Sequence, residues 1–455
     1  MEGSRHGGVL EPSSAGAWRR AAAVLAVFLA FHGAAEVGRA GAAPRRDAAD
    51  PGAELLLADV LAEARERNPT LLAARARARA LAAVPAQASA LEDPTLSWEA
   101  WNFPDSFRID QADNNIFRLS QKLPFPGKRR LAGEVAEHAA NEGTSRAEAL
   151  ELQVLAAVKH AYWALWSAHA RLDVYEREEG YVRRFAEVAQ QRYAAGDATQ
   201  ADVLRAQIEL THVVSRTQSE RLALEGARAE LNALLSRDPG QGLGTPVAPP
   251  PPSLDEPASD LVVRALARRP ELTGVDAGIA KEESAVELAE RNRLPDFEVS
   301  VGRFVNYDAR DGFGAMASVT LPFANLEKYD AGVAEARAEL AAAKAERRRL
   351  EDRVRRDVEQ AHLRARSALL QHELLLGTHV PQVEQALRVT ESGYQTGAIG
   401  FLDLIDTLRR LEDVHLEHIA AQAEFESARA DLERAVGGEL PHDGSAARAD
   451  RRGTR

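Results

Sequence analysis

Apolar and polar residues alternate along four short stretches of the chain. These stretches lie at about residues 95–103, 116–123, 296–304 and 314–321. In the third of them, the apolar Phe297, Val299 and Val301 alternate with acidic residues and a serine, whereas Gln121 interrupts the apolar series of the second. A period of two puts successive side chains on opposite faces of a sheet, so each stretch is predicted to be a β-strand with unlike faces.

Long helical segments follow each pair of predicted strands. No proline occurs from Leu131 to Ala195, and a helix of about 65 residues there would extend about 95 Å, which is too long for the interior of a compact domain. A second helix returns after it, so a helical hairpin is predicted over 131–237 and another over 329–436. Gly180 and Pro381 hold matching places in the two hairpins, and a bend or break is predicted at that level.

The chain is one unit of about 200 residues written twice. Tyr193 and Tyr394 lie 201 positions apart, and the same offset relates Pro69 to Pro270. After a short slip, "LPFPGK" at 123–128 matches "LPFANLEK" at 321–328. Each copy begins with a predicted helix, at about 54–89 and 259–292. Internal repeats of this size show that the two halves share one architecture.

These features divide the chain into five parts. The predicted parts are a signal peptide (1–42), a first repeat (43–243), a proline-rich linker (244–260), a second repeat (261–437) and a disordered tail (438–455). Arg19 and Arg20 precede an apolar run and "AGAA" follows it, as in an export signal. Prolines in the linker favour an extended connector.

Composition excludes several classes of protein. The chain has no cysteine, which rules out disulfides and thiolate sites, and its net charge of −12 is a poor match to nucleic acid. No nucleophile–base pair, metal triad or cofactor fingerprint occurs, so we expect neither an enzyme nor a bound cofactor. No segment after the signal reaches the length of an apolar membrane helix, which leaves a soluble protein, a peripheral protein or a β-barrel.

Four strands of 8–10 residues are long enough to cross a bilayer but too few to close. An open sheet edge in lipid leaves backbone groups unpaired, at several kcal/mol each, so the chain is expected to oligomerise. Two copies would supply eight strands and three would supply twelve. Three is the better prediction, because side chains fill the interior of an eight-stranded barrel.

The repeat, the "LPFPGK" turn and the Y-x-x-G followed by L-D-x-x-D resemble the outer membrane efflux protein (TolC) family. The resemblance implies a mainly α fold with a transmembrane β-barrel, in which a homotrimer joins a 12-strand barrel to a long α-helical tunnel in the periplasm of a Gram-negative bacterium. It also implies a periplasmic adaptor and an inner-membrane pump of the resistance-nodulation-division type as partners. Pro381 and "LPFPGKR" resemble most the branch that serves heavy-metal and cation efflux pumps.

The resemblance assigns roles to the hairpin tips. Gly196 and Gly397 stand where the chain must reverse, and glycine tolerates the conformation needed there. The positions that the family places at the periplasmic pore mouth are, in this chain, Asp202, Arg205, Tyr394, Asp403 and Asp406. Asp403 and Asp406 lie three residues apart on one helix face, so three chains would form a ring of six carboxylates that attracts cations.

The chain departs from the family at two positions of the mouth, 399 and 205. The family closes its mouth through links from a tyrosine and an arginine of the second repeat to an aspartate of the first; Tyr394 and Asp202 match, but the arginine position is Ile399. Arg205 replaces an acidic residue. We therefore expect Arg205 to substitute in part by pairing with Asp406 or Asp403.

Two alternative functions remain open at this stage. A type I protein-secretion conduit would share the fold, and an exported coiled-coil adaptor would share the long helices but has no need for the strands. His415 and His418, with Glu412 and Glu417 nearby, are compatible with a metal site. Surface helices often carry such pairs by chance, so no metal site is predicted.

Overall fold

The computed structural model describes residues 53–102, 112–306 and 310–440. The predicted signal peptide and the predicted tail beyond residue 440 lie outside this range. Among the described residues, no helix combines the length and the apolar character needed to cross a bilayer. The elements of the two copies follow one another in the same order.

In the first copy, which begins with a two-residue strand, the elements are β1 (Glu54–Leu55), α1 (Leu57–Arg67), α2 (Pro69–Ala82), α3 (Val84–Ala88), β2 (Thr95–Trp101), β3 (Asn114–Leu123), α4 (Lys128–Ala195) and α5 (Gln200–Leu234). The linker contributes β4 (Thr245–Pro246), which pairs in parallel with β1. In the second copy they are α6 (Ala258–Arg268), α7 (Pro270–Arg291), β5 (Phe297–Asn306), β6 (Gly312–Val319), α8 (Leu326–Leu374), a π-helical turn (Leu375–His379), α9 (Val380–Gln395) and α10 (Phe401–Val436).

The four longer strands form one antiparallel sheet in the order β2-β3-β5-β6. Its register places residues of similar polarity opposite one another. Leu96 lies opposite Leu119, which lies opposite Val301. The next position along β3 is Ser120, which lies opposite Ser300. Directly opposed residues point to the same face, so one face of the sheet is mainly apolar and the other mainly polar. The apolar face is solvent-exposed in the single chain, where Val301 keeps 61% of its surface.

The opening helix of each copy is interrupted at its proline, contrary to the prediction of one continuous helix. Asn68 and Arg269 precede Pro69 and Pro270 and adopt extended backbone, with ψ of 119° and 121°. The residue before a proline avoids the helical region for steric reasons, and proline then starts the next helix well because its φ is already set. The two copies therefore bend at the same place.

A break does not occur at Gly180, whereas the second copy is interrupted close to Pro381. Helix α4 runs through Gly180 without a break over 68 residues. Glycine costs a helix about 1 kcal/mol, which the buried Val182 and Phe185 nearby can offset. Pro381 lies in the first turn of α9 and is preceded by the π turn. Proline lacks the N–H of the helical ladder and clashes with the carbonyl four residues earlier, which explains the irregular turn.

The apolar core is divided along the length of the molecule. One cluster around Tyr162, Leu165 and Leu231 lies within the first copy, and an equivalent cluster around Val358 and Leu432 lies within the second. A third cluster, near the hairpin tips, takes residues from both copies. Helix α4 packs along α5, α7 and α10. The two hairpins are therefore tied together most closely at the end that carries the predicted site.

The "LPFPGK" turn joins the two copies at the opposite end, between sheet and helices. Lys128 is 92% buried and donates both to the Leu294 carbonyl and to Asp296 Oδ1, each at 2.8 Å. Asp296 Oδ1 also accepts the Phe125 backbone N–H at 2.8 Å. Gly127, at φ +99°, turns the chain so that α4 can begin at this lysine. One buried cation thus fixes the strand-to-helix turn of the first copy against the second.

We predict that Lys128→Met lowers the free energy of unfolding by about 2 kcal/mol, because it removes a buried ammonium group that pairs with the partly exposed Asp296 and leaves the Leu294 carbonyl without its donor. Lys122→Met is the matched control, since its pair with Glu92 is exposed and is expected to contribute little to stability. The measurement is denaturant unfolding of the detergent-solubilised protein, followed by circular dichroism. Equal losses in the two variants would contradict the role given to Lys128.

Candidate functional site

The hairpins reverse at glycines in the left-handed region. Gly196 has φ +84° and Gly397 has φ +79°. Beside each glycine a backbone N–H folds back at 2.8 Å, from Asp197 to the Arg192 carbonyl and from Ala398 to the Gly393 carbonyl. This helix-capping pattern occupies the same place in both copies. A residue with a Cβ is strained at such φ, which accounts for glycine at both tips.

The two tips share one apolar core. Helices α4 and α5 of the first copy contribute Phe185, Ala189 and Ala206. Helices α9 and α10 contribute Tyr394, Phe401 and Leu404. The rings of Tyr394 and Phe401 meet edge to face, with centroids 5.7 Å apart. Because neither tip has this core alone, a movement that separates the tips must expose it.

Arg192 of the first copy binds Tyr394 of the second. Its guanidinium carbon lies 4.9 Å from the centroid of the Tyr394 ring, and its Nη1 donates to the Tyr394 carbonyl at 2.6 Å. Its Nη2 donates to the Asp197 carbonyl at 3.1 Å within its own turn. Burial raises the pKa of Tyr394, and Arg192 partly opposes that shift. One side chain therefore connects both tips, which we call the Arg192 latch.

Asp202 caps its own helix. Its Oδ2 accepts the Thr199 N–H at 3.1 Å and the Thr199 hydroxyl at 2.8 Å, while the Asp202 N–H donates back to that hydroxyl at 3.3 Å. This reciprocal arrangement satisfies two of the free N–H groups at the start of α5. Arg205 of the same helix forms an ion pair with Asp202, with 3.8 Å between Arg205 Nη1 and Asp202 Oδ1, because residues three apart share a helix face.

The acidic pair of the second tip remains exposed. Asp403 lies in the first turn of α10, where a carboxylate is favoured by the helix dipole. The side chain of Asp406 keeps 72% of its surface, and its nearest cation is Arg409 at 4.0 Å. Among the described residues, neither aspartate forms an ion pair with Arg205 inside one chain, so the expected pairing is not made there.

The link from Tyr394 to Asp202 that the resemblance implies is also not formed within the chain. The Tyr394 hydroxyl is buried and has no hydrogen-bond partner among the described residues. The arginine that reaches Tyr394 comes from position 192, whose counterpart in the second copy is Gly393. A Cβ on Gly393 would lie 2.5 Å from the Ile399 side chain, so glycine makes room for that isoleucine. In this chain the arginine that contacts Tyr394 therefore comes from the first copy.

Farther from the tips, the hairpins are joined by two reciprocal ion pairs. Arg216 of α5 donates from Nη1 to both oxygens of Glu412 on α10, at 3.0 Å each. Arg409 of α10 donates to both oxygens of Glu209 on α5. Both carboxylates are more than 90% buried. Each arginine therefore satisfies a buried charge that belongs to the other hairpin.

Glu178 of α4 lies beside these pairs and has no arginine of its own. It is 97% buried, and neither of its oxygens has a hydrogen-bond partner among the described residues. Burial, and then the neighbouring Glu412, raise the pKa of Glu178 from the ordinary 4.5 to about 9. The carboxyl is therefore protonated and neutral at pH 7.

The histidines of α10 do not gather into a metal centre. His415 Nε2 lies 3.8 Å from Glu384, and the ring of His418 stacks on that of His372 with centroids 4.7 Å apart. Burial lowers the pKa of all three histidines. Within the part of the chain that the structure describes, no group of three or more ligating side chains could hold a metal ion.

Sequence reasoning missed Arg192 and Glu178. The comparison of the two copies contains a signal for each, since position 192 pairs with Gly393 and position 178 with His379. At both places a charged or titratable residue changes type between otherwise matching helices. Such a change indicates a contact that differs between the copies, but it does not identify the partner.

Comparison with known proteins agrees with this architecture. A family model described as "Outer membrane efflux protein" matches residues 60–237 and again residues 261–438. The cobalt-zinc-cadmium resistance protein CzcC of Cupriavidus metallidurans is 23% identical over 356 residues, which cover 77% of this chain and 82% of that protein.

Solved structures with the same fold include two outer-membrane proteins. The outer-membrane channel OprN superposes with a TM-score of 0.71 at 18% identity, over 84% of this chain and 90% of that one. The outer membrane protein VceC of Vibrio cholerae gives 0.70 at 18% identity, over 85% and 97%. At this identity the likeness concerns the fold.

We predict that Glu178→Gln stabilises the protein at neutral pH. Above pH 4.5 the unfolded chain ionises this carboxyl, whereas the folded chain keeps it protonated until about pH 9. The native fold therefore loses stability as pH rises through this window, by about 1.4 kcal/mol per unit. The variant should be more stable than the parent by about 3 kcal/mol at pH 7 and equal to it near pH 4.

The measurement is denaturant unfolding at a series of pH values. Glu187→Gln is the control, because Glu187 is exposed on the same helix and should give a pH-independent difference near zero. A pH-independent difference for Glu178→Gln as well would contradict its protonated state.

Proposed function

The chain belongs to the outer membrane efflux protein family, and we propose that three copies form the outer-membrane exit duct of a tripartite pump that exports heavy-metal cations. As a member of that family the protein is an outer-membrane efflux channel. The observation that carries the finer proposal is the position of an exposed carboxylate pair, Asp403 and Asp406, at a hairpin tip tied to its neighbour by the Arg192 latch.

The sheet supports trimer formation. Strands β2 and β6 each have one edge without a partner strand in the described part of the chain. An unpaired edge in lipid costs several kcal/mol for each exposed backbone group. Three copies of the four-stranded sheet would close into a 12-strand barrel with the apolar face outward. The exposed side chains of Leu96, Val301 and Phe313 suit that face.

The tips support a role as a regulated mouth. Three chains would bring together six carboxylates from Asp403 and Asp406, and such a ring attracts cations and repels itself. The Arg192 latch holds the second tip against the first, so it resists the outward movement that this repulsion favours. Asp202 and Arg205 lie at the first tip and would face the same opening. In the proposed assembly, a periplasmic adaptor docks on the tips and an inner-membrane pump of the resistance-nodulation-division type supplies the energy.

Two observations support heavy-metal cations as the substrate. The similar protein CzcC is a cobalt-zinc-cadmium resistance protein and matches this chain along most of its length. The exposed carboxylates at the tip would concentrate cations at the entrance. The fusaric acid resistance protein FusA of Burkholderia cepacia, 28% identical over 216 residues, matches less than half of this chain.

We predict that Arg192→Ala makes the channel leaky. The substitution removes a cation–π contact and a charge-assisted hydrogen bond between the tips, worth about 2 kcal/mol together, which shifts the closed–open balance by roughly 30-fold per chain. The measurements are conductance in planar bilayers and uptake of a large antibiotic by whole cells. Arg184→Ala is the matched control, since Arg184 lies 4.8 Å from the Tyr181 ring of its own helix and, within the described residues, forms no ion pair or hydrogen bond with the other hairpin. Equal leakage in both variants would remove the latch from the mechanism.

We predict that deletion of the gene sensitises its host to cobalt, zinc and cadmium salts and that a plasmid copy restores tolerance. The variant with Asp403→Asn and Asp406→Asn should restore less, because it removes the carboxylates that attract the cation. Growth on graded metal salts is the measurement, with fusaric acid as the comparison compound. A strain that loses tolerance to fusaric acid but keeps its tolerance to all three metals would overturn the proposed substrate.

A further inference from the structure

A cavity of about 370 Å³ lies where the two hairpins meet, between helices α4, α9 and α10. Much of its wall is apolar, from Val174, Leu387, Leu408 and Leu411, and the ring of Tyr181 adds an aromatic surface. The volume lies within the range of pockets that bind small organic molecules. The cavity is separate from the predicted mouth, because none of the tip aspartates lines it.

Glu178 lies in the wall of this cavity as a buried carboxyl without a partner. The two neighbouring buried carboxylates are already held, Glu412 by Arg216 and Glu209 by Arg409. Both oxygens of Glu178 lack a hydrogen-bond partner among the described residues. A cationic ligand would supply a donor to these oxygens, to which no group among the described residues donates.

Once Glu178 is ionised, the cavity lining has one negative charge in excess, because Glu412 is already paired with Arg216, which lies outside the lining. Its lining includes four glutamates, at 178, 384, 391 and 412, against two arginines, at 177 and 388. Arg177 donates from Nε to the Asp173 carbonyl of its own helix. Burial, and then Arg177, lower the pKa of His415, which is therefore neutral at pH 7. A cationic ligand fits this balance better than an anionic one.

We propose that this cavity binds a small organic cation, an amidinium, guanidinium or ammonium group on an apolar body, with the Glu178 carboxylate as its counter-ion. The apolar wall would contact the apolar body of the ligand. The Glu178 carboxylate would form a charge-assisted pair with its cationic group. A bare metal ion suits the cavity less, because no cluster of three ligating side chains is found in the described residues. The inference does not depend on the transport function proposed above.

Binding of the cation must displace the proton of Glu178. Without a ligand, burial and Glu412 keep the pKa of Glu178 at about 9, so the carboxyl carries a proton that has to leave when the cation arrives. The apparent affinity should therefore rise about tenfold per pH unit between pH 6 and 8 and level off above about 9.

The groups that face Glu178 determine this titration. From α4 and α5 they are Tyr175, Arg177, Tyr181, Glu209 and Arg216. From α9 and α10 they are Glu384, Arg388, Glu391, Arg409, Glu412 and His415. Glu209 and Glu412 are each paired to an arginine, so Glu178 is the buried carboxyl of this set that holds the proton displaced by the cation.

The test is calorimetric titration of the full-length protein in detergent with benzamidinium, and with benzamide as the uncharged analogue of the same shape. Benzamidinium should bind and release close to one proton at pH 7, measured as the change in heat between buffers of different ionisation enthalpy. Benzamide should bind at least tenfold more weakly. Absence of benzamidinium binding, or binding without proton release, would overturn the proposal.

Three variants locate the site. Glu178→Gln should weaken benzamidinium binding roughly 10- to 100-fold and abolish proton release. Glu187→Gln, exposed on the same helix, and the tip variant with Asp403→Asn and Asp406→Asn should bind as the parent does. If the tip variant lost benzamidinium binding while Glu178→Gln kept it, the ligand would be assigned to the mouth and the proposal would be wrong. If Glu178→Gln fails to fold, proton release by the parent protein still decides it.

Discussion

The two hairpins of this chain bury their tips against each other. A helix of 68 residues presents far more surface than its own return helix can cover, and near the tips the missing cover comes from the other copy. The shared core around Phe185 and Phe401, and the reciprocal pairs of Glu209 with Arg409 and of Arg216 with Glu412, all cross between copies. The positions of Arg192, Tyr394 and Glu178 depend on this mutual packing.

Duplication supplied the backbone, and divergence between the copies supplied the specific contacts. Both tips have the same glycine turn and the same capping hydrogen bonds. The side chains around them differ: Arg192 contacts Tyr394, whereas its counterpart, Gly393, leaves space for Ile399. Glu178 also differs in type from its counterpart in the second copy, which is a histidine. A strictly symmetric pair of repeats would have formed neither the latch nor the acidic cavity.

Much of the architecture could be predicted from the spacing of residue types along the sequence. The period-two strands, the tip glycines and the proline-free helices are local signals, and the sheet register places Leu119 beside Val301 as the alternation requires. Local propensity failed at Gly180, where packing kept the helix intact, and at Pro69, where backbone sterics divided one helix into two. Arg192 and Glu178 could not be assigned, because their roles depend on residues about 200 positions away in the sequence.

The π turn at Leu375–His379 has a consequence for the length of the second hairpin. Sixty-eight positions separate Lys128 from Gly196, but 69 separate Lys328, which ends the matching turn sequence, from Gly397. A π turn accommodates one more residue than an α turn. The π turn can thus take up the one extra residue that lies between Lys328 and the tip where Tyr394 contacts Arg192.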